Sequence, residues 1–198
     1  MPSVAHPEQI DLEDRSYTFE EFMRLGLEGK AELVEGKIKY PAMSWTTIIH
    51  ASLVGWLSRV LGNWADETKW GIVLNGDAGI RTKENSTRGA DVIAISFERY
   101  QQVGLKGKVV DVGPELIIEV VPPSNTWNDI NQKLKEYFER KTDEVWIASP
   151  EQQTVTVYNS LKSSQSFSAE DEETVTSKHL PGFELHLTEL RNVIEKVS

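Results

Sequence analysis

The chain has no cysteine among its 198 residues. That excludes disulfides, a thiol nucleophile and cysteine-ligated zinc, and makes a reducing cytoplasm the simplest home. It also lacks any apolar run near the roughly 20 residues that a bilayer-spanning helix needs, so no membrane partner is expected. The opening stretch "MPSVAHPEQIDLEDRS" is polar and acidic, without the basic and apolar regions of a secretory leader. Positive charge is scarce. With 21 Lys and Arg against 31 Asp and Glu, the formal net charge is −10. Such a chain is repelled by nucleic acid at long range unless cations gather locally or metal ions neutralise the contact. This counts against a constitutive DNA-coating protein, but not against an enzyme that meets phosphate through a divalent cation.

What is present is ordinary globular material, 39% hydrophobic and 26% charged, enough for one domain with a sizeable core. "YTFEEFMRLGLEG" opens with a capping signature, Thr18 followed by Glu21, and predicts a helix. "AELVEGKIKY" predicts a tight hairpin around Glu35-Gly36. In "TIIHASLVGWLSRVLGNWADE", Ile49, Leu53, Trp56, Leu57, Val60, Leu61 and Trp64 recur at helical spacing. The period then turns strand-like in "WGIVLNGDAGIRT" and "GADVIAISF", with "KENSTR" read as a polar loop between them. "LKGKVVDVG" is strand or loop, and "PELIIEVV" is a strand followed by a helix through Tyr137. "EVWIASP" and "TVTVYN" predict two strands joined by a turn, "SSQSFSAEDEETV" a solvated excursion, and "LPGFELHLTELRNVIEKV" a short strand or turn and a terminal helix. The economical reading is a single α/β domain over 17–190, preceded by a polar extension (1–16) and followed by a helical tail (191–198).

Glu119 interrupts the apolar run Leu116-Ile117-Ile118 and Val120-Val121. Side chains alternate along a strand, so Glu115, Ile117, Glu119 and Val121 share one face. An ionised carboxylate inside a sheet covered on both faces costs several kcal/mol unless it is paired, hydrogen-bonded or bound to a cation. Asp91 poses the same problem at the entry to Val92-Ile93-Ala94-Ile95. Each acid alone also reads as a sheet-end or turn residue. Two together suit Mg²⁺, which takes one or two carboxylates plus waters and phosphate oxygens. On the following helix, Ile130, Leu134 and Tyr137 define one face, and Lys133 lies on its flank while Lys135 points away. Lys133 is therefore the lysine that can reach the sheet. The alternative is a snorkelling lysine or an i,i+4 pair with Asp129.

An acid opening a strand, then Glu-Val-Val-Pro-Pro-Ser, then Asp129-x-x-x-Lys133-x-x-x-Tyr137 resembles the Uma-two group of restriction endonucleases, within the PD-(D/E)XK nuclease superfamily. The resemblance runs from about Tyr17 to Leu190 and includes "AELVEGKI", "RGADVIAI", "DEVWIASPEQQTVTVY" and "LPGFELHLTEL". It implies a restriction-endonuclease-like mixed β-sheet flanked by α-helices and a Mg²⁺- or Mn²⁺-dependent nuclease acting on DNA. By resemblance, Asp91 and Glu119 are the metal-binding acids and the Val120 carbonyl is a third ligand. Lys133 replaces the lysine that other members carry at the position of Val121, and Glu32 is a hairpin acid that is either a further ligand, a supporting residue or simply exposed. Three positions depart from the family pattern: Ala90 for proline, Pro122 for serine and Ser149 for aspartate. None removes an expected ligand.

Arg88, Lys106, Lys108, Lys135, Arg140 and Lys141 are candidate phosphate contacts or ordinary surface. His50 reads as a packed or capping histidine, and the tryptophans read as core. A homodimer is expected by analogy with duplex-cutting nucleases. The rival to a nuclease is a non-catalytic binding module on the same fold, and a hydrolase acting on RNA or a nucleotide has the same sequence signature.

Overall fold

The computed structural model describes residues 15–27, 31–40, 47–76, 78–103, 109–121 and 126–198. In chain order these form α1 (Phe19–Leu25), β1 (Glu32–Val34), β2 (Lys37–Lys39), α2 (Ile48–Thr68), β3 (Gly71–Asn75), β4 (Gly79–Lys83), β5 (Ser86–Gly89), β6 (Val92–Ser96) and α3 (Phe97–Val103). There follow β7 (Val109–Val110), β8 (Leu116–Val120), α4 (Trp127–Glu139), β9 (Glu144–Ser149), β10 (Thr154–Ser160), β11 (Ser163–Ser168), β12 (Thr174–Thr176), β13 (Glu184–His186) and α5 (Leu187–Glu195). Threonine hydroxyls start three of the helices: Thr18 accepts the Glu21 amide in a full capping box, Thr47 accepts that of His50, and Thr126 that of Asp129. The hairpin turn expected at Glu35-Gly36 has φ of 50° and 78°, the positive pair that a two-residue hairpin requires.

The main sheet runs β11-β10-β9-β8-β6-β3, and a second sheet runs β2-β1-β5-β4-β7. Within the main sheet only β8 and β9 pair in parallel, with α4 as their crossover. One face of the main sheet packs Val92, Leu116, Ile118, Trp146 and Val155 against Leu53, Trp56, Leu57 and Leu61 of α2, with α5 and β13 closing the layer. The other face packs Ile93, Ile95, Ile117 and Val145 against Leu134 and Tyr137 of α4 and against Ile80 and Val110 of the second sheet. This is the mixed sheet flanked by helices that the family resemblance implies.

Two stretches depart from the sequence reading. "KENSTR" is not a loop throughout, because Ser86, Thr87 and Arg88 form most of β5 and are buried. A polar strand is tolerated there because its side chains are partnered: Ser86 Oγ accepts the Glu35 amide, Thr87 Oγ1 that of Leu33, and Arg88 meets two glutamates. "SSQSFSAEDEETV" is an edge strand and part of a small ribbon, since β11 pairs with β10 and β12 with β13. Its side chains are largely exposed, so polarity marked an edge and not an absence of strand.

Candidate active site

Alternation along β8 turns Glu119 to the α4 face, where it is 6% exposed. Its Oε2 accepts from Lys133 Nζ at 2.9 Å, and its Oε1 accepts from the Tyr137 hydroxyl at 2.5 Å. Lys133 and Tyr137 lie one helical turn apart, so both reach one carboxylate. Asp91 comes from the joint between the two sheets, after β5 ends at Gly89 and before β6 begins at Val92. Continuing the register in which Val92 faces Ile118 sets Asp91 opposite Glu119. Asp91 Oδ2 accepts the Val120 amide at 2.7 Å and lies 3.3 Å from His50 Nε2. Helix α2 thus reaches the site from one side of the sheet and α4 from the other.

The electrostatics follow from burial and crowding. Burial pushes the Glu119 carboxyl up, and the charge of Asp91 adds to this against the pull of Lys133. Burial acts to lower Lys133, but Glu119, with Glu32 and Asp91 behind it, outweighs burial and holds the ammonium above its ordinary value. The Tyr137 phenol is pushed well above its usual range by burial and then by Glu119. His50 is raised by its hydrogen bond to Asp91, while its Nδ1 is buried without a partner among the described residues. A cavity of about 20 Å³ lies between Glu119, Asp129, Lys133 and Tyr137 on one hand and the apolar Val121, Ile130, Leu134, Val145 and Ile147 on the other, room for about one water.

Glu32 is placed differently. Its Oε2 accepts from Arg88 Nη1 and its Oε1 from the Gly89 amide, both at 3.0 Å. It braces the backbone that leads to Asp91 and does not itself join Asp91 and Glu119. Arg88 is no free phosphate contact: it forks onto Glu136 with two bonds of 2.8 Å, and Thr82 and Gln132 add to the same carboxylate. Burial would raise Glu136, but the hydrogen bonds and charge of Arg88 hold it below the usual carboxylate range. Lys135 pairs with Glu139 and Arg140 with Asp111. Lys141 follows the far end of α4, and Lys106 and Lys108 lie outside the described residues. Pro122 does too.

Sequence reasoning missed three members of this arrangement. His50 gave a signal only for capping, because nothing local names Asp91, 41 positions on. Tyr137 stood in the motif as an apolar stripe residue, and its hydroxyl carries no sequence signal. Glu136 had a misleading neighbour, Arg140 at i+4, which bonds Asp111 instead.

The donor chemistry suits a hard divalent cation. Two carboxylates face each other across neighbouring strands, one of them desolvated and repelled by the other, and Mg²⁺ needs only one or two carboxylates beside waters. Among the described residues no group of three or more His, Asp or Glu converges on one point, so any ion here leans on Asp91, Glu119 and backbone carbonyl.

A family model described as "Uma2: putative restriction endonuclease" matches residues 19–188. The chain belongs to the Uma2 family. No curated protein matches the sequence. The fold is similar to that of the crystal structure of a putative nuclease of the DUF820 group from Anabaena variabilis, with a TM-score of 0.76 at 18% identity, covering 89% of this chain and 98% of that one. At that identity the likeness establishes the fold alone. Family and fold together are those of restriction-endonuclease-like nucleases.

Proposed function

We infer that this Uma2 chain is a metal-dependent endonuclease that hydrolyses phosphodiester bonds in DNA. The observation that carries the reading is the meeting of Lys133, Glu119 and Asp91 at one sheet end, with Lys133 Nζ 2.9 Å from Glu119 and Asp91 on the neighbouring Val120 amide. Asp91, Glu119 and the Val120 carbonyl would hold Mg²⁺ or Mn²⁺. Such an ion supplies Lewis-acid polarisation of the phosphate and a water of lowered pKa. Lys133, kept protonated by Glu119, orients that water and stabilises developing negative charge; its raised pKa favours these roles over proton removal. Tyr137 fixes one Glu119 oxygen, which leaves the other for Lys133 and the ion. Glu32, through Gly89 and Arg88, steadies the turn that carries Asp91.

One observation favours a second reading, a non-catalytic binding module on the same fold: both Glu119 oxygens are already engaged. The deciding experiment incubates plasmid and single-stranded DNA with the wild type, Asp91→Asn and Lys133→Ala in Mg²⁺ or Mn²⁺. Cleavage by the wild type that both substitutions abolish is the expected result. Undiminished cleavage by both variants would refute the site, and absence of cleavage together with absence of metal binding by calorimetry would leave the binding module.

A further inference from the structure

The tryptophans were expected in the core, and Trp56 and Trp146 are there. Trp127 is not. It is the first residue of α4 and is 60% exposed. Seven residues before Leu134, it continues the apolar stripe of Ile130 and Leu134 to within about 20°, but one turn beyond where Ile130 finds cover. Because α4 runs back along β8, its first turn stands at the sheet end that carries Glu119. Trp127 precedes Lys133 by six residues, about 9 Å along the axis. Across the sheet, α2 does the same with Ile48, its first residue, 72% exposed and two positions before His50. Each helix that reaches the acid pair therefore begins with a large apolar side chain presented to solvent.

An indole held out beside a phosphodiester-cutting site has a natural ligand in an unpaired base, since every base offers a π-face. Such a contact is worth about 1–3 kcal/mol per base and is indifferent to sequence. The alternative source of affinity, a cationic track along a duplex backbone, is poorly supplied among the described candidate contacts. Of the four candidate phosphate contacts among the described residues, Arg88 and Arg140 are bonded to acids, Lys135 is exposed with Glu139 3.9 Å away, and Lys141 lies past the opposite end of α4. The overall charge is −10. We propose that the mouth of the site takes an unpaired nucleobase stacked on Trp127, which makes single-stranded or locally unpaired nucleic acid the substrate class. The location of this subsite rests on the nuclease reading; the stacking itself does not require cleavage.

The test is binding of a labelled mixed-sequence oligonucleotide, single-stranded and as its duplex, to the full chain in EDTA. Wild type should prefer the single strand. Trp127→Ala should weaken single-strand binding about tenfold with little change on the duplex, while Trp127→Phe keeps most of it, and circular dichroism should show both variants folded. Equal affinity for the two forms, or undiminished single-strand binding by Trp127→Ala, overturns the proposal. So does a dimer that Trp127→Ala dissociates without touching oligonucleotide binding, which would give this face to a second copy of the chain. Cleavage of the same oligonucleotides in Mn²⁺ is scored separately. A wild type that binds through Trp127 and cuts nothing supports the stacking subsite and removes the nuclease reading.

Discussion

Two buried charge clusters share helix α4 and differ in how completely they are satisfied. On one flank, Glu136 is 1% exposed and receives four hydrogen bonds, two from the Arg88 fork and one each from Thr82 and Gln132. Glu32 takes a further Arg88 nitrogen. On the next flank, Glu119 has two donors, faces Asp91, and is pushed up by burial. His50 meets Asp91 through Nε2, and its Nδ1 has no partner among the described residues. The first cluster ties the second sheet to α4 through complementary groups. The second leaves Glu119 repelled by Asp91 and borders a cavity of about 20 Å³ whose lining is mostly apolar, so its charges are less completely met. Burial of charge is common to both; the completeness of its hydrogen bonding separates the two.

The strongest way to break the comparison is Arg88→Ala, which strands the buried Glu136 carboxylate and removes one of the two partners of half-buried Glu32. A loss of about 3–5 kcal/mol in urea unfolding is expected. Lys133→Ala should lower DNA cleavage by about 10²–10³-fold yet cost less stability than Arg88→Ala, because Glu119, already raised, can take up a proton. Kinetics and denaturation on the same preparations check both halves. Isosteric neutralisation sharpens the contrast further. Glu136→Gln should destabilise by about 1–3 kcal/mol by breaking a satisfied network, whereas Glu119→Gln should change stability by about 1 kcal/mol or less, in either direction. Comparable losses in the two would erase the distinction drawn here.

The smallest effect is in pH dependence, where the clusters carry opposite signs. Glu136 sits below the ordinary 4.5 in the folded chain, so its contribution is complete above about 4.5 and disappears as pH falls through the lower folded value. His50 sits above 6.5; its contribution is complete below about 6.5 and fades as pH rises through the higher folded value. Thermal melts across pH should therefore lose part of the acid limb in Glu136→Gln and part of the slope above neutrality in His50→Gln. Slopes unchanged from wild type in both would remove these assignments.

Much of the scaffold was legible because it is written in local terms. The Thr18 capping box, the Glu35-Gly36 hairpin, the long stripe of α2 and the β8–α4 unit each follow from residues a few positions apart. The choice of Lys133 over Lys135 came from helical angle alone, and the strand alternation that sends Glu119 to the α4 face needed only the period of two. These features depend on backbone geometry, which is the same wherever the segment lies.

What tertiary structure decided are pairings between residues far apart in the chain: His50 with Asp91, Arg88 with Glu136, Glu32 with the Gly89 amide. A charged side chain carries no local record of its partner. From sequence Arg88 read as a phosphate contact or ordinary surface and Glu32 as a ligand, a supporting residue or an exposed acid; the second sheet brings the two together. Trp127 shows the reverse case, an apolar residue on the right helical face that is exposed in the folded chain. The sequence determined where Glu119 points. Only the fold determined that it would meet Lys133 and Tyr137 with Asp91 across the strand, because burial and proximity belong to the packed chain and not to any segment of it.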